Sequence, residues 1–236
     1  KYRSIAKRKF EGMFGGALSD SNSVTRPHSP FLDDTILVET RIIYDHYLSQ
    51  HKGKDSLTKY FAILMNKVNQ VYMELSNPRP QFMIVGITRS TKESPLRIAP
   101  GGFLDVCYAL EPLKDFVQRS GLTNAQDVLI FVSGLPSNPA LKKQGCTRTC
   151  GICSPDGVTV QTIRDMSDQS SAVIIAHELG HQLGMGHEGD RAEFYTPGNA
   201  DLYCGHDSGR LMQAVAFSKG RSVFSHCVYD QMKGCL

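Results

Sequence analysis

Three histidines and a glutamate between residues 177 and 187 have the types and the spacing of a catalytic metal site. His177 and His181 are four residues apart, so on a helix their side chains stand one turn apart on the same face. That spacing allows two imidazoles to bind one zinc ion. Glu178 lies one position further around the helix, where its carboxylate can reach a water bound to the metal. Such a carboxylate can take a proton from the water as it attacks a carbonyl carbon, and return it to the leaving amine.

A third ligand must come from outside the helix, because a catalytic zinc ion has three protein ligands and an open position. Gly184 is expected to end the helix, since glycine adopts the positive φ of a C-terminal cap at low cost. The chain can then turn sharply and bring His187 to the metal. The string H-E-x-x-H-x-x-G-x-x-H fits the long pattern of the metzincin zinc proteases at every fixed position. A chance match on an ordinary helix is therefore the weaker interpretation.

The metzincin pattern also includes a methionine turn beneath the metal. Met212 is the candidate, because it follows His187 in a stretch with a glycine before it and small apolar residues after it. The alternative is an ordinary core methionine that fills a gap. Met212 is not a metal ligand in either interpretation.

With these residues the chain resembles the reprolysin (adamalysin) branch of the metzincins, which includes snake venom and ADAM-type proteases. Within that branch it is most similar to arthropod venom and salivary metalloproteases, the antarease-like group. The resemblance extends to residues 36–46 (ILVETRIIYDH), 153–158 (CSPDGV) and 224–227 (FSHC). One departure is Glu188, where the family usually has aspartate. The resemblance implies a secreted, extracellular zinc endopeptidase that hydrolyses peptide bonds in proteins, a toxin-like enzyme made as a zymogen.

The resemblance also implies the fold, an α/β (α+β) catalytic domain of the zincin type. We expect a mixed, mostly parallel twisted sheet with helices in an upper lobe, and a small irregular lower lobe held by disulfides. Hydrophobic periodicity predicts the individual elements. Strands are predicted at 35–44, 81–88 and 127–133, and helices at 57–75, at 104–119 and at the zinc site, the last capped by Ser170 or Ser171.

The chain divides into two parts by composition. Residues 1–30 are basic and then rich in glycine and serine, which indicates a flexible lead-in or the remnant of a propeptide. Residues 31–236 are expected to form the catalytic domain, since this length suits one α/β domain with a cleft. Within it, residues 138–153 should lead into an edge strand above the cleft. By resemblance, an extended substrate adds to that edge in antiparallel orientation.

Seven cysteines, all at residue 107 or later, favour an oxidising compartment and disulfides. A structural zinc site is the rival interpretation of Cys150-x-x-Cys153, but no second C-x-x-C pair completes it. By resemblance, Cys153 pairs with Cys235, and Cys204 pairs with Cys227 across the methionine turn. Three cysteines remain: Cys107, Cys146 and Cys150. Cys107 is expected to join Cys146 or Cys150, which leaves one thiol free or bonded to another chain.

A calcium ion is the second metal that the resemblance implies. It assigns Glu39 and Asp127 as carboxylate ligands, together with the carbonyl of Cys235, and hard oxygen ligands suit calcium. The alternative is that these acids are satisfied by salt bridges.

Charge and hydropathy restrict the partners. A formal net charge of +3, scattered along the chain, argues against nucleic acid, and no apolar run is long enough for a membrane span. A protein or peptide substrate and a monomeric state are expected.

The other class of function is a zinc-containing toxin or adhesion module that acts by binding. Such a module would keep its effect when Glu178 is replaced.

Overall fold

The computed structural model describes residues 35–52, 57–90, 96, 98–122, 126–141, 143–164, 166–190, 203–205, 210–214 and 224–236. The predicted lead-in of residues 1–30 lies outside this part of the chain. The strands are β1 Thr35–Tyr44, β2 Arg79–Arg89, β3 Ile98–Ala99, β4 Phe103–Leu104, β5 Val128–Ser133, β6 Gly145–Thr147 and β7 Val158–Thr162. The helices are α1 His46–Lys52, α2 Leu57–Tyr72, α3 Leu110–Arg119, α4 Asp168–Gln182 and α5 His226–Cys235.

Within the described part of the chain, the main sheet has five strands in the order β2-β1-β5-β7-β6. The first four are parallel to one another, and only the edge strand β6 runs antiparallel to its neighbour β7. The central strands β5 (VLIFVS) and β7 (VTVQT) are buried along their whole length. This is typical of parallel strands that are covered on both faces. The prediction of a mixed, mostly parallel sheet is confirmed.

Two hydrophobic clusters cover the two faces of this sheet. One contains the apolar stripe of α2 (Phe61, Leu64 and Val68), with residues of β1, β5 and α4. The other lies beneath α3 and contains Leu113 and Phe131. Helix α3 begins later than predicted, because residues 103–104 pair with β3 instead of continuing a helix. Within the described residues, no helix is both long enough and apolar enough to cross a membrane.

Helix α4 is fixed at its start and in its middle. Its N-cap is Ser167, whose side chain accepts a hydrogen bond from the Ser170 N–H, so the predicted cap at Ser170 or Ser171 was wrong. In the middle, the buried Tyr72 hydroxyl of α2 donates to the Ala176 carbonyl over 2.7 Å. The part of α4 that precedes His177 is therefore fixed at both its start and its end.

Three disulfides join elements that are distant in sequence: Cys107–Cys146, Cys150–Cys235 and Cys204–Cys227. The implied Cys204–Cys227 bond is present, and Cys107 joins one of its two expected partners.

The implied Cys153–Cys235 bond was wrong, because Cys235 bonds to Cys150 and Cys153 carries the free thiol. The backbone explains the exchange. The Cys150 N–H donates to the His181 carbonyl, which places residue 150 at the end of α4. Cys235 packs there against Gly184. The Cys153 sulfur faces away, 3.4 Å from the Asp127 carboxylate.

Candidate metal centre

The three predicted histidines meet at one point. Nε2 of His181 lies 3.0 Å from Nε2 of His177 and 3.1 Å from Nε2 of His187. His177 and His181 stand one turn apart on α4, and His187 approaches from the loop that follows. Among the described residues, this is the only group of three or more His, Cys, Asp or Glu side chains arranged to hold a metal ion.

Hydrogen bonds on the opposite ring nitrogens fix the tautomers. Nδ1 of His177 faces the Leu211 carbonyl at 2.7 Å, and Nδ1 of His181 faces the Met185 carbonyl at 2.7 Å. Nδ1 of His187 faces the Asp190 carboxylate at 3.3 Å. Carbonyl and carboxylate oxygens only accept, so each ring carries its proton on Nδ1. Each Nε2 then points a lone pair at the other two.

Three lone pairs at this separation repel one another unless a cation lies between them. Tetrahedral zinc at about 2.0–2.1 Å from each imidazole nitrogen would separate those nitrogens by roughly 3.4 Å. The observed distances of 3.0 and 3.1 Å are close to that value. Burial lowers the pKa of His177 to about 4 and also lowers the pKa of His181 and His187. The neutral imidazoles that zinc requires are therefore favoured, and the residues fit the ion.

Glu178 lies beside this centre and is almost fully buried. It is 7% exposed, and burial raises the pKa of its carboxyl group to about 8, while the positive charge of Lys143 opposes that rise. Its carboxylate lies against the backbone of Gly145 in β6, where any Cβ would overlap it. The edge strand and the glutamate are thus in contact, and glycine at residue 145 permits that contact.

The loop carrying His187 is fixed by the last helix. Gly184 has a φ of +98°, as expected for the residue that ends the zinc helix, and a Cβ there would also overlap Cys235. The Gly186 N–H donates to the buried Gln231 side chain of α5 over 2.7 Å. These contacts turn the chain back towards the metal centre.

Met212, the candidate for the methionine turn, lies against α4. Its carbonyl accepts from the N–H of Glu188 over 2.9 Å, and its thioether packs against Gly180. Glu188, the departure from the family pattern, is buried beside it. The adjacent Leu211 carbonyl is the partner of His177. Residues 211 and 212 therefore contact both α4 and the loop that carries His187.

Several functional contacts were missed in the sequence. Asp190 orients His187, and its position three residues later was the available signal, because metal-binding histidines usually donate to a carboxylate or carbonyl. The carbonyls of Leu211 and Met185 carry no signal in residue type. The contact of Gly145 with Glu178 depends on the fold.

The proposed calcium ligands lie elsewhere. The Asp127 carboxylate accepts from the Glu39 backbone N–H over 2.9 Å, and its other oxygen faces Cys153. Cys235 lies at the end of α5 and bonds to Cys150. Calcium binding by Glu39, Asp127 and Cys235 stays a prediction.

Comparison with known proteins places this site in a family. The model of the "Reprolysin (M12B) family zinc metalloprotease" matches residues 37–236. Mouse "A disintegrin and metalloproteinase with thrombospondin motifs 2" is 26% identical over 187 residues, which are 75% of this chain and 15% of that protein. The human protein of the same name is 29% identical over 163 residues, covering 66% of this chain and 13% of that protein. A similarly named protein of Bombyx mori, "A disintegrin and metalloproteinase with thrombospondin motifs like", is 24% identical over 203 residues, covering 78% and 29%.

The chain thus spans less than a third of the length of each of these relatives. Among solved structures, one described as "Structure of a chaperone-substrate complex" is similar in fold. It has a TM-score of 0.51 and 19% identity, and it covers 66% of this chain and 27% of that one. The family match extends from β1 to the end of the chain and includes the three histidines, Glu178 and Met212. The chain therefore belongs to the reprolysin (M12B) family of zinc metalloproteases.

Proposed function

We propose that this chain is a secreted endopeptidase that hydrolyses internal peptide bonds of protein substrates at a single zinc ion. The observation that carries the proposal is the convergence of three Nε2 lone pairs beside the buried carboxyl group of Glu178. The three disulfides support secretion, because such bonds persist in oxidising compartments. The closer similarity to arthropod venom and salivary enzymes stays a prediction from the sequence.

His177, His181 and His187 would hold the ion, which when bound acts as a Lewis acid on the carbonyl and on water. Glu178 takes a proton from the attacking water and then gives it to the leaving amine. A carboxyl group with a pKa near neutrality suits both transfers, and a cation nearby would favour its charged form. Met212 does not react, and its packing against Gly180 fixes the position of α4.

The substrate would lie along β6. This is the edge of the described sheet, so its outer backbone groups can accept one more strand. An extended peptide that adds antiparallel to β6 passes Gly145, and Gly145 touches Glu178. The scissile bond would therefore lie level with Gly145, between the edge strand and the metal.

The test is cleavage of an unfolded protein near neutral pH by the native chain, by the chain with a zinc chelator, and by Glu178→Gln. We expect cleavage only by the native chain, with zinc still bound to the variant. Cleavage by Glu178→Gln at the native rate would overturn the role of Glu178. A zinc-loaded native chain that cleaves nothing would instead favour a module that acts by binding.

A further inference from the structure

The edge strand β6 is flanked by two basic residues that differ in their surroundings. Arg148 follows the strand, and its guanidinium donates to the Glu111 carboxylate over 2.7 Å. Lys143 precedes the strand and is exposed. Among the described side chains, no carboxylate lies within 4.0 Å of its ammonium group, which contacts the Cys107 sulfur at 4.0 Å. One end of the strand is therefore neutralised within the described part of the chain, and the other carries an available positive charge.

The position of Lys143 along a bound substrate follows from the strand direction and rests on the proposed function. In an antiparallel pair, moving two residues towards the N-terminus of one strand moves two residues towards the C-terminus of the other. Gly145 marks the level of the scissile bond because it touches Glu178. Lys143 then lies level with the second or third substrate residue after the cleaved bond.

Lys143 is exposed and lies two residues before Gly145, the residue that lies against Glu178. A lysine side chain has a flexible four-carbon stem and three donors. It can therefore turn from the disulfide towards a substrate side chain that passes the start of β6.

We propose that Lys143 is a specificity-determining residue that selects an acidic side chain at the second or third position after the cleaved bond. An aspartate or glutamate there would gain an ion pair at the rim of the cleft. Pairs at exposed rims are weak, so the expected preference over a lysine at the same position is about 3- to 10-fold in kcat/KM at low salt.

The experiment uses three peptides that differ only in having Glu, Gln or Lys at both positions, with the cleavage site confirmed by mass spectrometry. The zinc-loaded chain is compared with Lys143→Gln and Lys143→Glu. Lys59→Glu is the matched control, because it makes the same charge change on the exposed start of α2. We expect the Glu-to-Lys ratio of kcat/KM to fall towards one in Lys143→Gln and to invert in Lys143→Glu. It should stay unchanged in Lys59→Glu.

Two failures are distinguishable. If the native chain cleaves all three peptides at equal rates, or if Lys143→Glu keeps the native ratio, this inference is wrong while the proteolytic function stands. If the zinc-loaded native chain cleaves none of them, nor an unfolded protein, the proposed function is overturned and this inference with it. Each ratio compares peptides within one variant, so it does not depend on how much of that variant folds.

Discussion

The thioether of Met212 lies directly beneath Gly180, in the last turn of the helix that carries His177 and His181. A Cβ built on residue 180 would fall 2.6 Å from the Met212 sulfur, which is closer than real carbon and sulfur atoms approach. Glycine in a helix interior costs about 1 kcal/mol relative to alanine. The helix tolerates this cost because only glycine lets the Met212 thioether lie so close to residue 180.

We therefore predict that Gly180→Ala destabilises the protein by about 1–3 kcal/mol despite its higher helix propensity, because overpacking outweighs the gain. Urea unfolding of the zinc-loaded chain measures this loss. The matched background is Met212→Ala, which removes the thioether, and there Gly180→Ala should cost much less. Equal costs in the two backgrounds would show that the methionine is not the cause.

The carboxylate of Asp190 accepts from His187 and should raise its affinity for metal. Asp190→Asn keeps the size of the side chain but removes the charge, and we expect zinc affinity to fall by about 10-fold. Competition with a chromogenic chelator measures the change. Asp230→Asn is the control, since Asp230 is also an exposed acid but contacts Lys233 on α5. A loss of affinity as large in the control would contradict a specific role.

The hydrogen bond from Tyr72 to the Ala176 carbonyl joins α2 to the zinc helix. Tyr72→Phe removes the donor from a fully buried site, and we expect a loss of about 1–2 kcal/mol in the free energy of unfolding. Tyr203→Phe is the control at a position that is 56% exposed, and it should change stability by less than about 0.5 kcal/mol. Thermal or urea unfolding of both variants measures the two losses of stability, and equal losses would contradict a stabilising role for the Tyr72 hydrogen bond.

The thiol of Cys153 should react slowly with alkylating reagents. Its residue is exposed, but its sulfur is partly covered and faces Asp127, and burial followed by that negative charge raises the pKa of the thiol to about 12. Alkylation needs the thiolate, whose fraction at pH 8 falls roughly 2,000-fold when the pKa rises from about 8.5 to about 12. A more basic thiolate is also the better nucleophile, so the folded chain should react about 100-fold more slowly than the urea-unfolded chain. Its rate should keep rising above pH 9, where an ordinary thiol levels off.

Peptide mapping of the alkylated chain identifies the labelled residue. Label on Cys150 would contradict the Cys150–Cys235 disulfide. A rate that levels off near pH 9 would show instead that neither burial nor Asp127 raises the pKa of the thiol. Cys153→Ser should remove the label without disturbing the three disulfides.

The sequence predicted that three histidines meet at one point because their arrangement is local. Two histidines one helical turn apart and a glycine turn bring three rings together within eleven residues. It did not predict the partner of Cys235, because two cysteines three residues apart compete for it. The choice depends on a turn in which Cys150 and Cys153 both have positive φ, of 56° and 59°. The contact of Gly145 with Glu178 was likewise hidden, since it joins a sheet edge to a helix.

The Cys150–Cys235 bond joins the segment after the edge strand to the last helix, beside the end of α4. The N–H groups of Cys150 and Ile152 also donate to the carbonyls of His181 and Gln182. The segment after β6 is thus joined to α4 by hydrogen bonds and to α5 by a covalent bond. The edge at which a substrate would bind therefore has little freedom to move away from α4. Under the proposed function, an incoming chain must adapt to the enzyme. Cleavage would then fall in segments that are already extended or locally unfolded, and compact folded domains would pass uncut.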